Sequence, residues 1–262
     1  YYYWVQAAVD AAGAKSSAAS APLDDYRRVA APAIQSASQG EKGQVVLAWE
    51  PVAGATHYQV LRGETPSAGT AQALSGWQTT TDFADERAAL GVTYYYWVQA
   101  AVDAAGARSS ALSVEQSGYR GLAEVAPQII ASDVQQIDLS WEGVDGAAAY
   151  RVYRSERPDV RQAAPVSNWQ TAPGFGDDSA LPGVTYYYWV RAAADGEGLN
   201  AAAFGAAASG YRVLQDAGGL SATRGELAGV DLAWAEVAGA THYLIYRGVA
   251  EDAAQAEPLG RW

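Results

Sequence analysis

Cysteine and methionine are both absent from this chain of 262 residues. The lack of cysteine excludes disulfides and thiolate catalysis, and it removes the ligand on which most structural zinc sites depend. Apolar runs are short, and none approaches the ~20 residues that a membrane-spanning helix needs. Basic residues are few: 17 Lys and Arg stand against 29 Asp and Glu, for a net charge of −12. This charge argues against a nucleic-acid partner, because phosphates are bound by basic surfaces.

Half of the residues are hydrophobic and 18% are charged, a composition typical of a folded chain. One five-residue sequence, Tyr-Tyr-Tyr-Trp-Val, occurs at residues 1–5, 94–98 and 186–190. The copies begin 93 and then 92 residues apart. A constant period of this length indicates tandem copies of one small domain, each large enough to bury its own core.

The same period relates other aromatic residues. Three further positions recur at intervals of 92 and then 93 residues: Trp49, Trp141 and Trp234; Trp77, Trp169 and Trp262; Tyr58, Tyr150 and Tyr243. Residues 1–18 and 94–111 differ at a single position, where Lys15 corresponds to Arg108. The copies are therefore interpreted as products of duplication.

The repeat divides the chain into four predicted segments. They are the C-terminal part of a domain at 1–28, complete domains at 29–121 and 122–213, and the N-terminal part of a domain at 214–262. We expect the chain to be either a section of a longer array or a subunit that joins its neighbours head to tail.

Within the repeat at 122–213, apolar and polar residues alternate in short stretches. The alternation at 137–141 and at 150–154 predicts strands with one buried face, and it places Tyr150 and Val152 inward. A further strand is predicted from residue 186 to residue 192. No stretch keeps a helical apolar period over three turns. Short strands separated by turn residues indicate a β-sandwich.

Several of these residues resemble the fibronectin type III domain. The resemblance rests on Trp141, Tyr150 and the Leu-Pro-Gly-Val-Thr-Tyr corner at Leu181–Tyr186. The endings Ser117–Arg120 and Ser209–Arg212 resemble the tandem version found in bacterial surface and secreted proteins. The resemblance covers the whole chain and implies an all-β fold of tandem immunoglobulin-like sandwiches. This fold carries adhesion, spacing and ligand binding alike, so it does not define the function.

The two incomplete segments predict an association. Residues 1–28 hold two strands, and an isolated hairpin is marginally stable in water. Its apolar face is predicted to contain Tyr1, Tyr3 and Val5. In the segment 214–262, the side chains of Trp234, Tyr243 and Ile245 need such an apolar face to pack against. We expect each incomplete segment to complete a sandwich with another copy or with another stretch of chain.

A second candidate site is the outward face of the sheet that contains the Tyr-Tyr-Tyr-Trp-Val strands. If alternate residues of these strands point inward, the others form an exposed aromatic face. Its predicted members are Tyr95, Trp97, Tyr153, Tyr187 and Trp189. The favoured interpretation is a set of cross-strand pairs that covers the sheet. Packing between domains and stacking on glycan rings are the alternatives.

Other candidate residues have structural interpretations. Trp77, Trp169 and Trp262 are predicted to plug the edge of the core, with contacts between domains as the alternative. His57 and His242 occupy one repeat position without cysteine or a second histidine nearby, so no metal site is expected. Two acidic clusters lack the ligand spacing of a calcium loop, and they are interpreted as solvated turns. The clusters are Asp82, Asp85 and Glu86, and Asp177 and Asp178.

The sequence predicts a non-enzymatic structural protein outside the cell or at its surface. No Ser-His-Asp set and no carboxylate pair recurs at a repeat position, so no catalytic residue and no cofactor are expected. The predicted role is a filament, tether or stalk whose main partner is itself, with end-to-end and optional lateral contacts. The alternative is a spacer or glycan-binding region of a secreted enzyme or adhesin, with cell-surface glycan as partner.

Overall fold

The structure is a computed structural model that describes residues 2–24, 27–224 and 229–261. It divides into two compact units: unit 1 comprises Tyr1–Ala88 and Thr93–Arg120, and unit 2 comprises Ala89–Val92 and Gly121–Trp262. Among the described residues, helical structure is limited to 3₁₀ turns at Ala68–Thr70, Val160–Gln162 and Ala253–Gln255. The predicted all-β class is confirmed.

Unit 1 contains a two-sheet sandwich and a separate hairpin. Its strands are β1 (Tyr2–Tyr3), β2 (Leu23–Asp24), β3 (Ile34–Ala37), β4 (Gln39–Glu41), β5 (Val45–Trp49), β6 (His57–Gly63), β7 (Gln72–Ala73), β8 (Asp82–Asp85), β9 (Thr93–Ala101) and β10 (Gln116–Arg120). One sheet has the order β3-β5-β8, and the other has the order β4-β10-β9-β6-β7. Only the β4–β10 pair of the described strands in these sheets is parallel. Strands β1 and β2 pair with each other.

Unit 2 contains a sandwich with the same plan, followed by short paired strands. Its strands are β11 (Gln128–Ser132), β12 (Ile137–Ser140), β13 (Ala149–Ser155), β14 (Ala164–Pro165), β15 (Gly174–Asp177), β16 (Thr185–Ala193), β17 (Ala208–Tyr211), β18 (Ser221–Ala222), β19 (Leu232–Ala233), β20 (Tyr246–Arg247) and β21 (Glu257–Pro258). The two sheets of the sandwich have the orders β11-β12-β15 and β14-β13-β16-β17. The pairs β18–β19 and β20–β21 follow.

The strands lie where apolar and polar residues alternate. In β12, Ile137 and Leu139 are buried while the residues between and after them are half-buried. In β13, Tyr150 and Val152 are buried as predicted. In β16, the buried residues of the predicted inward face are Tyr186, Tyr188 and Val190; with β12 and β13 they form the core of the second sandwich. The equivalent side chains fill the first.

A tryptophan–tyrosine pair closes the turn between β5 and β6 in the first sandwich and between β12 and β13 in the second. The rings of Trp141 and Tyr150 lie 5.6 Å apart, and the Tyr150 hydroxyl accepts a hydrogen bond from the Val144 amide at 2.8 Å. Trp49 and Tyr58 form the same arrangement. The pair forms a third time at Trp234 and Tyr243, in the short-stranded segment, where the Tyr243 hydroxyl accepts a hydrogen bond of 2.8 Å from the Val237 amide. This element is thus specified by local sequence.

The incomplete segments leave their aromatic residues uncovered to different degrees. In the hairpin of unit 1, Tyr3 is 55% exposed and Val5 is 74% exposed. Trp234, Tyr243 and Ile245 are half-buried. Tyr1, predicted to belong to the same face as Tyr3 and Val5, lies outside the described residues. What completes these segments stays a prediction.

Candidate interaction surfaces

The predicted aromatic face is not an open surface at its two tryptophans. Trp97 is 2% exposed and Trp189 is 5% exposed, although they point away from the inward-facing residues beside them. The prediction that these rings are exposed is therefore wrong. Trp189 is the cross-strand neighbour of Tyr153, and Trp97 is that of Leu61.

The long loops after β9 and β16 pack against residues of these strands and of β13. In unit 2, Phe204 of the loop packs edge-on against Tyr153 with ring centres 5.0 Å apart, and the Arg191 guanidinium lies over the Phe204 ring. The Nε of Arg191 donates a hydrogen bond to the Ala202 carbonyl at 2.7 Å. The loop is also close to Val125, whose carbonyl oxygen would overlap a Cβ added to Gly205.

In unit 1, two serines hold the equivalent loop along β9. The Ser113 amide donates to the Val98 carbonyl, and the Ser113 hydroxyl accepts from the Val98 amide. Ser110 makes the same two bonds with Ala100. Both serines are buried with these partners. The remaining predicted members of the face, Tyr95, Tyr153 and Tyr187, are half-buried.

The tryptophans that precede β8 and β15 have another role than the predicted one. Trp77 and Trp169 are half-buried and lie outside the buried core clusters. A Cβ added to Gly106 would lie 2.6 Å from the Trp77 indole, and one added to Gly198 would lie 2.6 Å from that of Trp169. The prediction of a core plug is therefore wrong for both, because each indole packs on a loop glycine of its own sandwich. Trp262 lies outside the described residues.

A buried ionic network lies between the sheets of each sandwich, and the sequence reading missed it. In unit 2, the Asp177 carboxylate accepts a hydrogen bond from the Arg154 guanidinium at 2.6 Å and one from the Tyr188 hydroxyl at 2.8 Å. Its other oxygen accepts bonds from the amide and the hydroxyl of Ser179. The Arg154 guanidinium also stacks over the Tyr186 ring, 4.4 Å from its centre.

Unit 1 repeats the network with equivalent residues. Arg62 and Tyr96 bind the Asp85 carboxylate at 2.7 and 2.9 Å, and Arg62 lies over the Tyr94 ring. The side chains of Asp85 and Asp177 are each 1% exposed. The interpretation of these two aspartates as parts of solvated turns is therefore wrong. Arg62 and Arg154 keep the repeat spacing, as the two aspartates do, but this spacing alone does not indicate which residues pair.

The network shifts the pKa values of its members. Burial tends to raise the pKa of Asp177, but the hydrogen bonds from Ser179, Arg154 and Tyr188 outweigh it and hold the pKa below its ordinary value. Burial, the hydrogen bond to Asp177 and its negative charge raise the pKa of the Tyr188 hydroxyl. The carboxylate is thus kept ionised and the phenol neutral, the states that the hydrogen bonds require.

The part of the chain that the structure describes offers few other sites. It contains no group of three or more His, Asp or Glu side chains arranged to hold a metal ion. His57 and His242 each contact the hydroxyl of the preceding threonine. An open groove of about 440 Å³ in unit 1 is lined by residues that include Arg62, Glu64 and Tyr94. None of the described helical turns has the length and hydropathy to cross a membrane.

Two packed sheets with a buried tryptophan–tyrosine pair, repeated along one chain, define the class of fold as tandem fibronectin type III-like β-sandwiches. No family model matches the sequence. A two-domain fibronectin type III segment of chicken tenascin matches with a TM-score of 0.50 and 14% identity, over 71% of this chain and 99% of that one. The FN1–FN3 domains of chicken CNTN1 match with a TM-score of 0.31 and 13% identity, over 81% and 77% of the two chains.

Proposed function

We propose that this chain is a non-enzymatic, load-bearing section of an extracellular or cell-surface array that acts as a tether, stalk or filament. The observation that carries the proposal is the repetition of one complete internal plan in two sandwiches. Each has the same core, the same tryptophan–tyrosine turn and the same buried ionic network. In tandem, compact domains with their own cores form successive links of one chain.

The chemistry of the described residues fits this role. The buried Asp85 and Asp177 carboxylates already bind arginine and tyrosine. On the outward face of the Tyr-Tyr-Tyr-Trp-Val strands, where glycan stacking was one alternative, Trp97 and Trp189 are buried. A ring that stacks on a sugar must be accessible, so the glycan-binding alternative loses its two strongest residues. This burial favours the mechanical role over glycan binding.

We further propose that each incomplete segment completes its sandwich with another stretch of the same array, because the two complete sandwiches follow each other directly in one chain.

Localisation of the native protein tests the function. Antibodies raised against the 262-residue chain should label structures on the outside of unpermeabilised source cells, or material that those cells release. Electrophoresis of the labelled protein should give a mass well above the 27.5 kDa of this chain. Label confined to the cell interior would contradict the extracellular array. A native species of 27.5 kDa would contradict the continuous array.

A further inference from the structure

One corner of the chain packs away from the repeat to which its sequence belongs. Residues 89–92 precede β9, yet they form part of unit 2. There Leu90 packs against the core cluster that contains the buried Leu122. The Gly91 carbonyl accepts a hydrogen bond of 2.8 Å from the Asn200 side-chain amide. This corner is thus held by apolar packing and by a polar bond.

The contact is close because a glycine lies beneath it. Gly146 occupies the turn between β12 and β13 with a φ of +77°. A Cβ there would lie 2.7 Å from the Leu90 Cβ and 3.1 Å from the Leu90 carbonyl oxygen. Contacts below 3.0 Å require something to shift, so any other residue at this position would push the corner away.

The same arrangement occurs again at the equivalent positions further along unit 2. Pro182 and Gly183 form the corner, and Gly239, with a φ of +82°, lies beneath it. A Cβ on Gly239 would overlap the Pro182 carbonyl oxygen, and Leu214 occupies the place of Leu122. Two successive repeat positions therefore give the same contact between a corner and a leucine–glycine surface.

We propose that the surface formed by Leu122 and Gly146, like that formed by Leu214 and Gly239, is a docking site for the corner of the preceding repeat. The occupant is a two-residue Leu-Gly or Pro-Gly corner, small enough to lie directly on the glycine backbone. The inference rests on the proposed array, and both contacts from which it is drawn lie within unit 2. It identifies Gly146 and Gly239 as the residues that make the contact possible.

The chain supplies a matched control for this site. Gly54 lies in the equivalent turn of unit 1, with a φ of +83° and an equivalent turn hydrogen bond from Ala55 to Val52. Only Val29, at 3.8 Å, lies within 4 Å of an added Cβ there among the described residues. Alanine at Gly54 therefore introduces the strain of a positive φ alone. Alanine at Gly146 introduces that strain together with the collision with Leu90.

The test compares the full-length variants Gly146→Ala and Gly54→Ala by hydrogen exchange of the backbone amides. Both should lose protection in their own turn. Only Gly146→Ala should increase exchange at residues 89–92, by about tenfold or more, which corresponds to about 1.4 kcal/mol. Equal protection of residues 89–92 in the two variants would overturn the proposal.

A second variant keeps the test decisive if Gly146→Ala does not fold. Asn200→Asp retains a residue type that tolerates the positive φ of 48° at this position. It replaces the amide donor to the Gly91 carbonyl by a carboxylate, so exchange at residues 89–92 should rise while the strands of the second sandwich keep their protection. Unchanged exchange in this variant would refute the docking site but would leave the localisation and mass of the native array unaffected.

Discussion

At the scale of single residues, Asp177 and Asp85 are the polar groups on which each sandwich depends. A buried carboxylate with two or more hydrogen-bond donors and an arginine is stable only as a complete set. Removal of one member leaves the opposite charge buried and unpaired. Substitution of either aspartate should therefore lower the free energy of unfolding by more than the loss of an ordinary surface ion pair does.

Substitution of Asp177 by asparagine should destabilise the second sandwich by about 3 kcal/mol, because Arg154 loses its counter-charge in a position that is largely screened from water. Urea unfolding followed by tryptophan fluorescence measures this loss. Asp178→Asn is the matched control, since this neighbour is exposed, and its effect should stay within about 0.5 kcal/mol. Equal effects of the two substitutions would show that the network does not stabilise the fold.

The same two variants test how the stability that the network contributes depends on pH. The pKa of Asp177 is lowered in the folded state, so its contribution to stability is present above the unfolded pKa of about 3.9. It is lost as the pH falls through the folded value. The Asp178→Asn protein should therefore lose more stability than Asp177→Asn when the pH is lowered from 6 to 3. Parallel pH curves would contradict this assignment.

At the scale of elements, one sequence adopts one local structure in two environments. In the hairpin at residues 2–24, Ser17 and Ser20 bond to Ala7 and Val5 as Ser110 and Ser113 bond to Ala100 and Val98. The hairpin geometry thus follows from the sequence itself. Burial does not, because Trp4 is 56% exposed whereas Trp97 is 2% exposed.

This difference predicts unequal effects of equivalent substitutions. Trp97→Ala should destabilise the first sandwich by about 4 kcal/mol, since it removes a large buried side chain. Trp4→Ala, in the same five-residue sequence, should change the stability of that sandwich by less than about 0.5 kcal/mol. Thermal unfolding of the two variants measures both values. A large effect of Trp4→Ala would show that residues 2–24 contribute to the core of unit 1.

How well these elements could be predicted depends on how far apart in the sequence the interacting residues lie. The tryptophan–tyrosine turn joins atoms six residues apart, between Val144 and Tyr150, and it was predictable from alternation and turn residues. The burial of Trp189 was not. The packing of Phe204 against Tyr153 was not predictable either. Alanine and glycine predominate in the loop after β16, and no period indicates which face the loop contacts.

At the scale of the whole molecule, the proposed mechanical function rests on serial repetition. Each sandwich has its own core cluster and its own ionic network. Domains with separate cores unfold as separate cooperative units when a chain is stretched. A load-bearing array should show this behaviour directly.

Force spectroscopy of the 262-residue chain, tethered through added terminal residues, should therefore give two major unfolding steps. Each should lengthen the chain by roughly 30 nm, because about 92 residues extend by ~3.5 Å each from a compact fold. The Asp177→Asn protein should show one of these steps at lower force and the other unchanged. A single step of twice this length, or extension without resolvable steps, would contradict independent links.

The sequence by itself determined the period, the strands, the inward faces and the turn that each tryptophan–tyrosine pair closes, because these features depend on residues close together in the chain. Only the tertiary structure decided whether the outward faces of the sheets are covered, which carboxylates are buried and what the corner at 89–92 contacts. Arg154 and Asp177 are 23 residues apart, and Gly91 and Asn200 are 109 apart. Local patterns do not specify such pairings, because packing between strands and loops selects them.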